Sequence, residues 1–491
     1  MQGKKDHQEK LFIQFQLSNY VPADNFYRRL KKILNLDFLY QSTSKHYGKE
    51  GQKSIDPVVF MKLMLVGYLE NIASDRRIVS ISGMRMDILY FLGYDLGEDL
   101  PYHSTLSRTR KLYGEEQFVN LFKQVLKLCI DEGLISGKRQ AVDSALIKAN
   151  ASKHSMIERL VMEDASVFSR ELDDNSEDEP APSEKPKGGN KNNPGKKPAP
   201  VNQTHYSPSD PDARLTMKPG KPMNLYYRSQ ISVDTASYFI THIQAFPGNA
   251  ADNMSLREVL RHVVENMNEN NIRVKEILAD TGYSSGDAIR ALIGHDIEGY
   301  IPNPGNYKHS REEEGFTYDA EQDRYTCVNG VHLPFRRIES AHKKPTILKK
   351  IYESNISDCK NCPLKGSCAN AKGFKKLVDS IDKPLYEYMQ QRVESRKGKQ
   401  MKLLRSSTVE PVLGSLINHT GLKRINTKGL RQANKCMLIA AVAYNLKKLL
   451  KYKFRPIQDV QKQIRNCIND TFNSILSRFG QQYTLKLLSW F

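Results

Sequence analysis

The sequence predicts an α/β protein with an α-helical N-terminal domain and a small cysteine-rich insertion, and three patterns carry that prediction. Apolar residues keep helical spacing up to about residue 135 and then alternate between strand-like and helix-like runs. Two aspartates, Asp143 and Asp280, fall in or just after short apolar strand patterns, and a third carboxylate, Glu410, opens an amphipathic run. Four of the seven cysteines, Cys327, Cys359, Cys362 and Cys368, crowd into 42 residues.

A chain of 491 residues is too long for one simple core, so two or three domains are expected. Its 74 Lys and Arg against 55 Asp and Glu leave a formal charge of +19, which favours a polyanionic partner. No apolar run approaches the roughly 18 residues a membrane span requires, so nucleic acid is the better partner than a membrane. The charged start, Met1 to His7, lacks the apolar centre of a signal peptide, and a cytoplasmic location is expected. In a reducing compartment the cysteine cluster points to metal before disulfide.

Residues 1–135 read as a helical, DNA-binding domain. Asp56 and Pro57 signal the start of an amphipathic helix over Val58 to Ile72. Ser104 is expected to cap a short helix carrying Arg108, Arg110 and Lys111, which either contact DNA or form a solvated basic face. From 136 to 302 the α/β pattern takes over, with strands at Gln140 to Ile147, Tyr226 to Thr235 and Tyr238 to Ala245, the last two forming a hairpin around Ala236 and Ser237. Helical spacing at Leu256, Val259, Leu260, Val263 and Val264 follows, then a short strand over Val274 to Ala279, a helix over Ala288 to Ile293 and a strand over Glu298 to Ile301. Between about 171 and 222 the composition shifts to Asp, Glu, Pro, Lys, Gly and Asn, and a disordered insertion is expected there.

The carboxylates are informative as a set. Asp280 follows Ile277-Leu278-Ala279, at the carboxyl end of a strand, where open α/β sheets bind ligands. Asp143 is embedded in an apolar strand and is costly there unless paired, hydrogen-bonded or metal-bound. Glu410 precedes Val412, Leu413, Leu416 and Ile417, which with Val409 make one helical stripe, and is expected in that helix's first turn with Pro411 beside it. Each alone has an ordinary explanation, as a turn acceptor or a favourable helix N-terminal acid.

Together, Ala141-Val142-Asp143-Ser144, Ala279-Asp280-Thr281-Gly282-Tyr283 and Arg405-x4-Glu410-Pro411-Val412-x-Gly414 resemble the three acidic motifs of bacterial insertion-sequence DDE transposases. The resemblance extends to the His103-Ser104-Thr105-x-Ser107-Arg108 segment, to Asp210-Pro211-Asp212-Ala213-Arg214 and to a cysteine-rich insertion ahead of the glutamate. It implies a ribonuclease-H-like core. It also implies an enzyme that cleaves the ends of its own element and joins them to target DNA, with Asp143, Asp280 and Glu410 holding Mg²⁺ or Mn²⁺ and Arg405 facing DNA phosphate. The implied partners are terminal inverted repeats and target DNA, bound by a homodimer since two ends must meet, in a bacterial, nucleoid-associated setting. Where relatives often carry a Lys seven residues after the Glu this chain has Ile417, so phosphate contact falls to Lys423, Arg424 or Lys428. A nuclease or resolvase that cuts without joining, and an inactive DNA-binding derivative, are the alternatives.

Cys327, Cys359, Cys362 and Cys368 supply the four thiolates of a structural Zn²⁺ site, with an iron–sulfur cluster or free buried thiols as competing readings and His332 or His342 as substitute ligands. They define an inserted subdomain at 303–395. The core resumes at 396–455 with a long helix over about Leu430 to Tyr452, and 456–491 is expected to form a C-terminal amphipathic helix.

Overall fold

The computed structural model describes residues 15–454, apart from 49, 51–53, 160–199, 305–313, 342–343, 365–367 and 369–372. The predicted C-terminal helix at 456–491, most of the biased segment before residue 200, and His342 lie outside the described residues.

The N-terminal domain is helical throughout its described residues: α1 (Leu17–Tyr20), α2 (Phe26–Ile33), α3 (Phe38–Thr43), α4 (Pro57–Leu69), α5 (Asp75–Met84), α6 (Met86–Leu92), α7 (His103–Leu112) and α8 (Glu116–Asp131). Asp56 caps α4 as expected, its Oδ1 accepting the N–H groups of Val58 at 2.7 Å and Val59 at 3.1 Å. The helix departs from its predicted amphipathic character. Phe60, Met61, Leu63 to Val66 and Leu69 are all buried, because α3, α5, α6 and a late helix pack around it. Nor does Ser104 cap α7, which begins one residue earlier; it lies in the first turn and accepts from Arg108 at 3.4 Å.

The core is a mixed sheet of six strands: β1 (Arg139–Lys148), β4 (Arg214–Lys218), β5 (Lys221–Asp234), β6 (Ile240–Pro247), β7 (Glu276–Leu278) and β8 (Glu298–Tyr300). Two-residue strands β2 (Ile157–Glu158) and β3 (His205–Tyr206) pair separately. The order is β4-β5-β1-β7-β8, with β6 on the free edge of β5. Pairings among β1, β4, β5 and β6 are antiparallel, whereas β7 runs parallel to β1 and β8 parallel to β7. The chain from Val201 to Lys221, expected to be disordered, is ordered: β4 folds back on β5 through Gly220 at φ 79°, and Leu215, Leu225 and Ala213 give it apolar surface to bury.

Five later helices cover this sheet: α9 (Asp252–Asn268), α10 (Gly286–Gly294), α11 (Lys383–Glu394), α12 (Arg396–His419) and α13 (Leu430–Lys453). The last packs on β6 on one side and on α2, α4 and α8 on the other, so one helix joins the N-terminal domain to the sheet. Edge strand β6 would leave backbone groups unpaired. Asparagines supply the partners: Asn445 accepts from Ile240 N at 3.0 Å and donates to Ile240 O at 2.9 Å, Asn434 accepts from Ala245 N at 2.7 Å, and Asn266 of α9 donates to Thr241 O at 3.0 Å.

A second sheet, β9 (Phe316–Asp319), β10 (Arg324–Cys327), β11 (His332–Ala341), β12 (Lys344–Glu353) and β13 (Lys376–Ser380), is wholly antiparallel and has its own core of Phe316, Tyr325, Leu333, Tyr352 and Leu377. The helix α11, which the sequence reading placed with the cysteine-rich segment, packs on α10, α12 and β8 of the main core.

His242 of β6 is buried against His262, with ring centroids 5.2 Å apart, and burial pushes its pKa down to about 3. In the unfolded chain the same group titrates near 6.5, so the unfolded state binds the proton first as pH falls. Stability is therefore lost below about pH 6.5, by about 2 kcal/mol at pH 5. A His242→Gln variant is expected to show a flatter melting temperature between pH 7 and pH 5 than wild type; equal slopes would remove His242 as the cause.

Candidate active site

Register brings the two aspartates near each other. Ala141 of β1 pairs in parallel with Leu278, the last residue of β7, so Asp280, just past the carboxyl end of β7, comes close to Asp143, midway along the neighbouring β1. Asp143 is 9% exposed, and burial pushes its pKa up; the nearby Asp280 charge adds to this, while the Ser144 N–H and the Arg405 guanidinium oppose it. Its Oδ1 accepts from Ser144 N at 2.7 Å. Asp280 leaves the sheet as the N-cap of a single 3-10 turn over Thr281–Tyr283, its Oδ1 accepting from Gly282 N at 2.9 Å. Gly282 keeps this turn uncrowded: a Cβ there would press on that oxygen at 3.0 Å and touch Asp252 Oδ2 at 3.4 Å.

Glu410 arrives on α12, which crosses β1, β5, β7 and β8. It lies well inside the helix, not in the first turn, because Ser395 caps the helix fifteen residues earlier and Met401 extends the buried stripe backwards. Val409, Val412, Leu413 and Leu416 are buried as the spacing requires. Pro411 is thus interior to the helix, where it removes one hydrogen bond at a cost of about 3 kcal/mol. Glu410 keeps 60% of its side chain exposed and borders a cavity of about 650 Å³ together with Leu403, Leu404, Ser406, Ser407 and Pro411.

Arg405, one turn earlier, lies between two of the acids. Its Nη1 donates to Asp143 Oδ2 at 2.9 Å and its Nη2 to Glu410 Oε1 at 3.5 Å, with only 15% of the side chain exposed. The guanidinium predicted to face phosphate faces carboxylates here.

The sequence reading missed a supporting layer. Asp252, the first residue of α9, is held by Arg228 Nη1 at 2.8 and 3.0 Å and by Gln230 Nε2 at 2.8 Å. The same Arg228 nitrogen reaches Ser144 Oγ at 3.2 Å, and the buried Tyr283 hydroxyl donates to Gln230 Oε1. Burial, followed by the charges of Asp252, Asp143 and Asp280, raises the Tyr283 pKa well above its ordinary value, so Tyr283 stays a neutral donor. Arg228 and Gln230, two apart on one face of a strand, were the only trace of this in the sequence.

Of the other predicted contacts, Arg108, Lys111, Lys423, Arg424 and Lys428 are exposed. Arg110 is the correction. It is buried, donating to Asp75 at 2.5 and 3.1 Å and to the Met64 sulfur, because its side of α7 faces α4 and α5. Lys435 of α13 closes the end of the same helix, donating to the carbonyls of Arg110 at 3.0 Å and Tyr113 at 2.6 Å. Arg110→Ala is expected to destabilise the fold by about 3 kcal/mol, by removing a buried guanidinium and leaving the part-buried Asp75 carboxylate unpaired, and Lys111→Ala to leave thermal melting unchanged. Equal melting of the two variants would contradict the assignment.

The cysteine segments meet without clustering. Cys327 and Cys368 pack on the core of the second sheet, Asn329 Nδ2 donates to Cys362 Sγ at 3.7 Å, and Cys359 Sγ lies 3.1 Å from Ser354 Oγ. Among the described residues no group of three or more His, Cys, Asp or Glu side chains is close enough to hold a metal ion, which applies to the thiols and to the three acids alike. No described helix is long and apolar enough to cross a membrane.

No curated protein matches the chain. Among solved structures it is similar at 11% identity to the Mos1 transposase paired-end complex with left transposon end, over 52% of this chain and 61% of that one, with a TM-score of 0.17. The piggyBac transposase synaptic complex with hairpin DNA is similar at 11% identity over 90% of this chain and 84% of that one, with a TM-score of 0.25. The chain thus spans less than two thirds of the first of these. Family models are more direct: residues 15–112 match a Transposase domain (DUF772), and residues 326–450, which include Arg405 and Glu410, match a Transposase DDE domain. A Transposase domain over the N-terminal helices and a Transposase DDE domain reaching from the second sheet into α13 together support an insertion-sequence DDE transposase.

Proposed function

We propose that this chain cleaves the ends of a mobile DNA element and joins them to target DNA, with Asp143, Asp280 and Glu410 as its acidic site. The observation that carries the proposal is the convergence of Asp143, midway along β1, and Asp280, just past the end of the parallel neighbour β7, with Arg405 hydrogen-bonded to both Asp143 and Glu410. The mixed sheet, antiparallel on one side of β1 and parallel on the other, supports reading the core as ribonuclease-H-like.

The donor set fits a hard divalent cation. Carboxylate oxygens suit Mg²⁺ and Mn²⁺, and Asp143 and Asp280 come from neighbouring strands. Asp143 and Asp280 would hold it, and Glu410 would complete the site once Arg405 releases Asp143. Such ions supply activation of water or a 3′-hydroxyl and stabilisation of the departing oxygen. The chain's own residues do the rest. Burial keeps Asp143 poorly hydrated and ready to bind cations, Arg405 balances the negative charge until phosphate or metal arrives, and the Arg228–Asp252–Gln230–Tyr283 layer supports the middle of β1 beside Asp143 and the turn that Asp280 caps. Exposed Arg108, Lys111, Lys423 and Lys428 are proposed to contact the DNA backbone, and a homodimer is proposed because two ends must be held at once. The cysteines are proposed to hold a structural Zn²⁺; metal analysis that finds neither zinc nor iron in purified protein would remove that assignment.

The test uses DNA carrying this reading frame with its natural flanks, purified protein, and Mg²⁺ or Mn²⁺. Joined products are expected. Cutting without joining would make the chain a nuclease or resolvase, and binding without cutting would make it an inactive derivative.

A further inference from the structure

We propose that a groove at the carboxyl end of β1 is a built subsite for a DNA backbone phosphate, on the same strand that carries Asp143. The proposal rests on the DNA-processing function above and extends it from Arg424 to Lys148, Asn150, Lys153 and His154, which no motif marks. Lys148, Asn150, Lys153, His154, Asn224 and Arg424 line a groove of about 460 Å³, and no carboxylate is among its lining residues.

The groove is held in shape by backbone and amide bonds. The loop after α12 joins the sheet as a short parallel extension: Arg424 bridges Lys148, and Ile425 N donates to Lys148 O at 2.9 Å. Arg424 Nη2 donates to Asn150 Oδ1 at 2.7 Å, and Asn150 Nδ2 in turn donates to Asn426 O at 3.1 Å. On the opposite wall Ser152 caps the turn that presents Lys153 and His154, its Oγ accepting from His154 N at 3.2 Å. An arginine whose side chain is already oriented loses less entropy when it takes an anion, and its planar fork suits phosphate oxygens. Lys148, Lys153 and Arg424 are all exposed, so the groove is open to a chain passing over the surface.

Placement identifies the anion as part of a polynucleotide. Lys148 lies five residues beyond Asp143 along one strand, about 16 Å at the usual rise. Duplex phosphates advance 3.4 Å per nucleotide on each strand, so the groove receives a phosphate roughly five nucleotides from the one at the acids. The exposed cations Lys423 and Lys428 lie on the loop that forms one wall and continue the same basic track.

Salt dependence of binding to a fluorescein-labelled duplex of arbitrary sequence, read by anisotropy between 50 and 200 mM KCl, tests this. Neutralising Lys148 and Arg424 together, as K148Q with R424Q, is expected to lower the slope of log K against log salt by about 1 to 2, near 0.9 for each lost contact. Neutralising Lys138 and Lys275, exposed residues at the opposite ends of the neighbouring strands, is expected to leave the slope unchanged. The charge-preserving pair K148R with R424K should keep the wild-type slope. Equal losses in the groove pair and the control pair, no loss in the groove pair, or loss in the charge-preserving pair would each overturn the subsite. A wild-type chain that binds no duplex at all would overturn the DNA-processing function itself.

Discussion

Asparagine at Asp143 or Asp280 is expected to leave DNA binding intact while lowering strand cleavage on the order of 10³-fold, since metal charge stabilisation is worth several kcal/mol and each 1.36 kcal/mol is tenfold in rate. The expectation is the same for both because they occupy equivalent places in the register: Ala141 pairs with Leu278, and each aspartate lies two residues on. The fold should tolerate either change. Asp143 is disfavoured as an anion by its burial, so a neutral amide of the same shape removes a strained charge, and Asp280 keeps the capping oxygen that accepts from Gly282. Cleavage and duplex binding measured on the same preparations decide the matter. A variant that cuts at the wild-type rate would take its residue out of the site, and one that loses binding and melting together would make that residue structural.

Leucine at Asn445 is expected to destabilise the chain by about 3 kcal/mol or more, because two buried backbone groups lose their partners at once. Asn445 is fully buried and pairs with both the N–H and the carbonyl of Ile240, on an edge strand with no further neighbour on that side. Asn434, three turns earlier on the same helix, does the same for Ala245 N and also reaches Glu115 at the start of α8. Thermal melting followed by circular dichroism should show a large fall for Asn445→Leu and little change for an exposed residue of the same helix such as Lys451→Leu. A melting temperature equal to wild type would mean that water or a shifted backbone satisfies Ile240, and the helix would then be held by apolar packing alone.

Much of the core was legible from local patterns. The hairpin of β5 and β6, the helix α9, the short strand before Asp280, the helix α10 and the strand β8 each follow from apolar period and turn residues, and each is found where that period placed it. Two kinds of feature were misread. The helix α4 looked amphipathic because it carries Lys62 and Tyr68, yet a helix surrounded by four others buries nearly every face. The helix carrying Glu410 was read as beginning near Val409, with Glu410 and Pro411 in its first turn, since a local rule places prolines there, whereas the buried stripe tolerates one missing hydrogen bond on the exposed side.

The sequence by itself determined which residues carry charge and which segments are apolar at a given period, and so the two aspartates, the glutamate helix and the basic balance were visible without coordinates. Only the tertiary structure decided what those charges meet. That Arg405 spans Asp143 and Glu410 while Arg110 is spent on Asp75, and that asparagines of α13 complete the edge of β6, depend on contacts between residues 35 to 262 positions apart. Period and propensity describe neighbours along the chain; electrostatic pairing and backbone satisfaction depend on neighbours in space, and those are set only when the strands take their register and the helices dock.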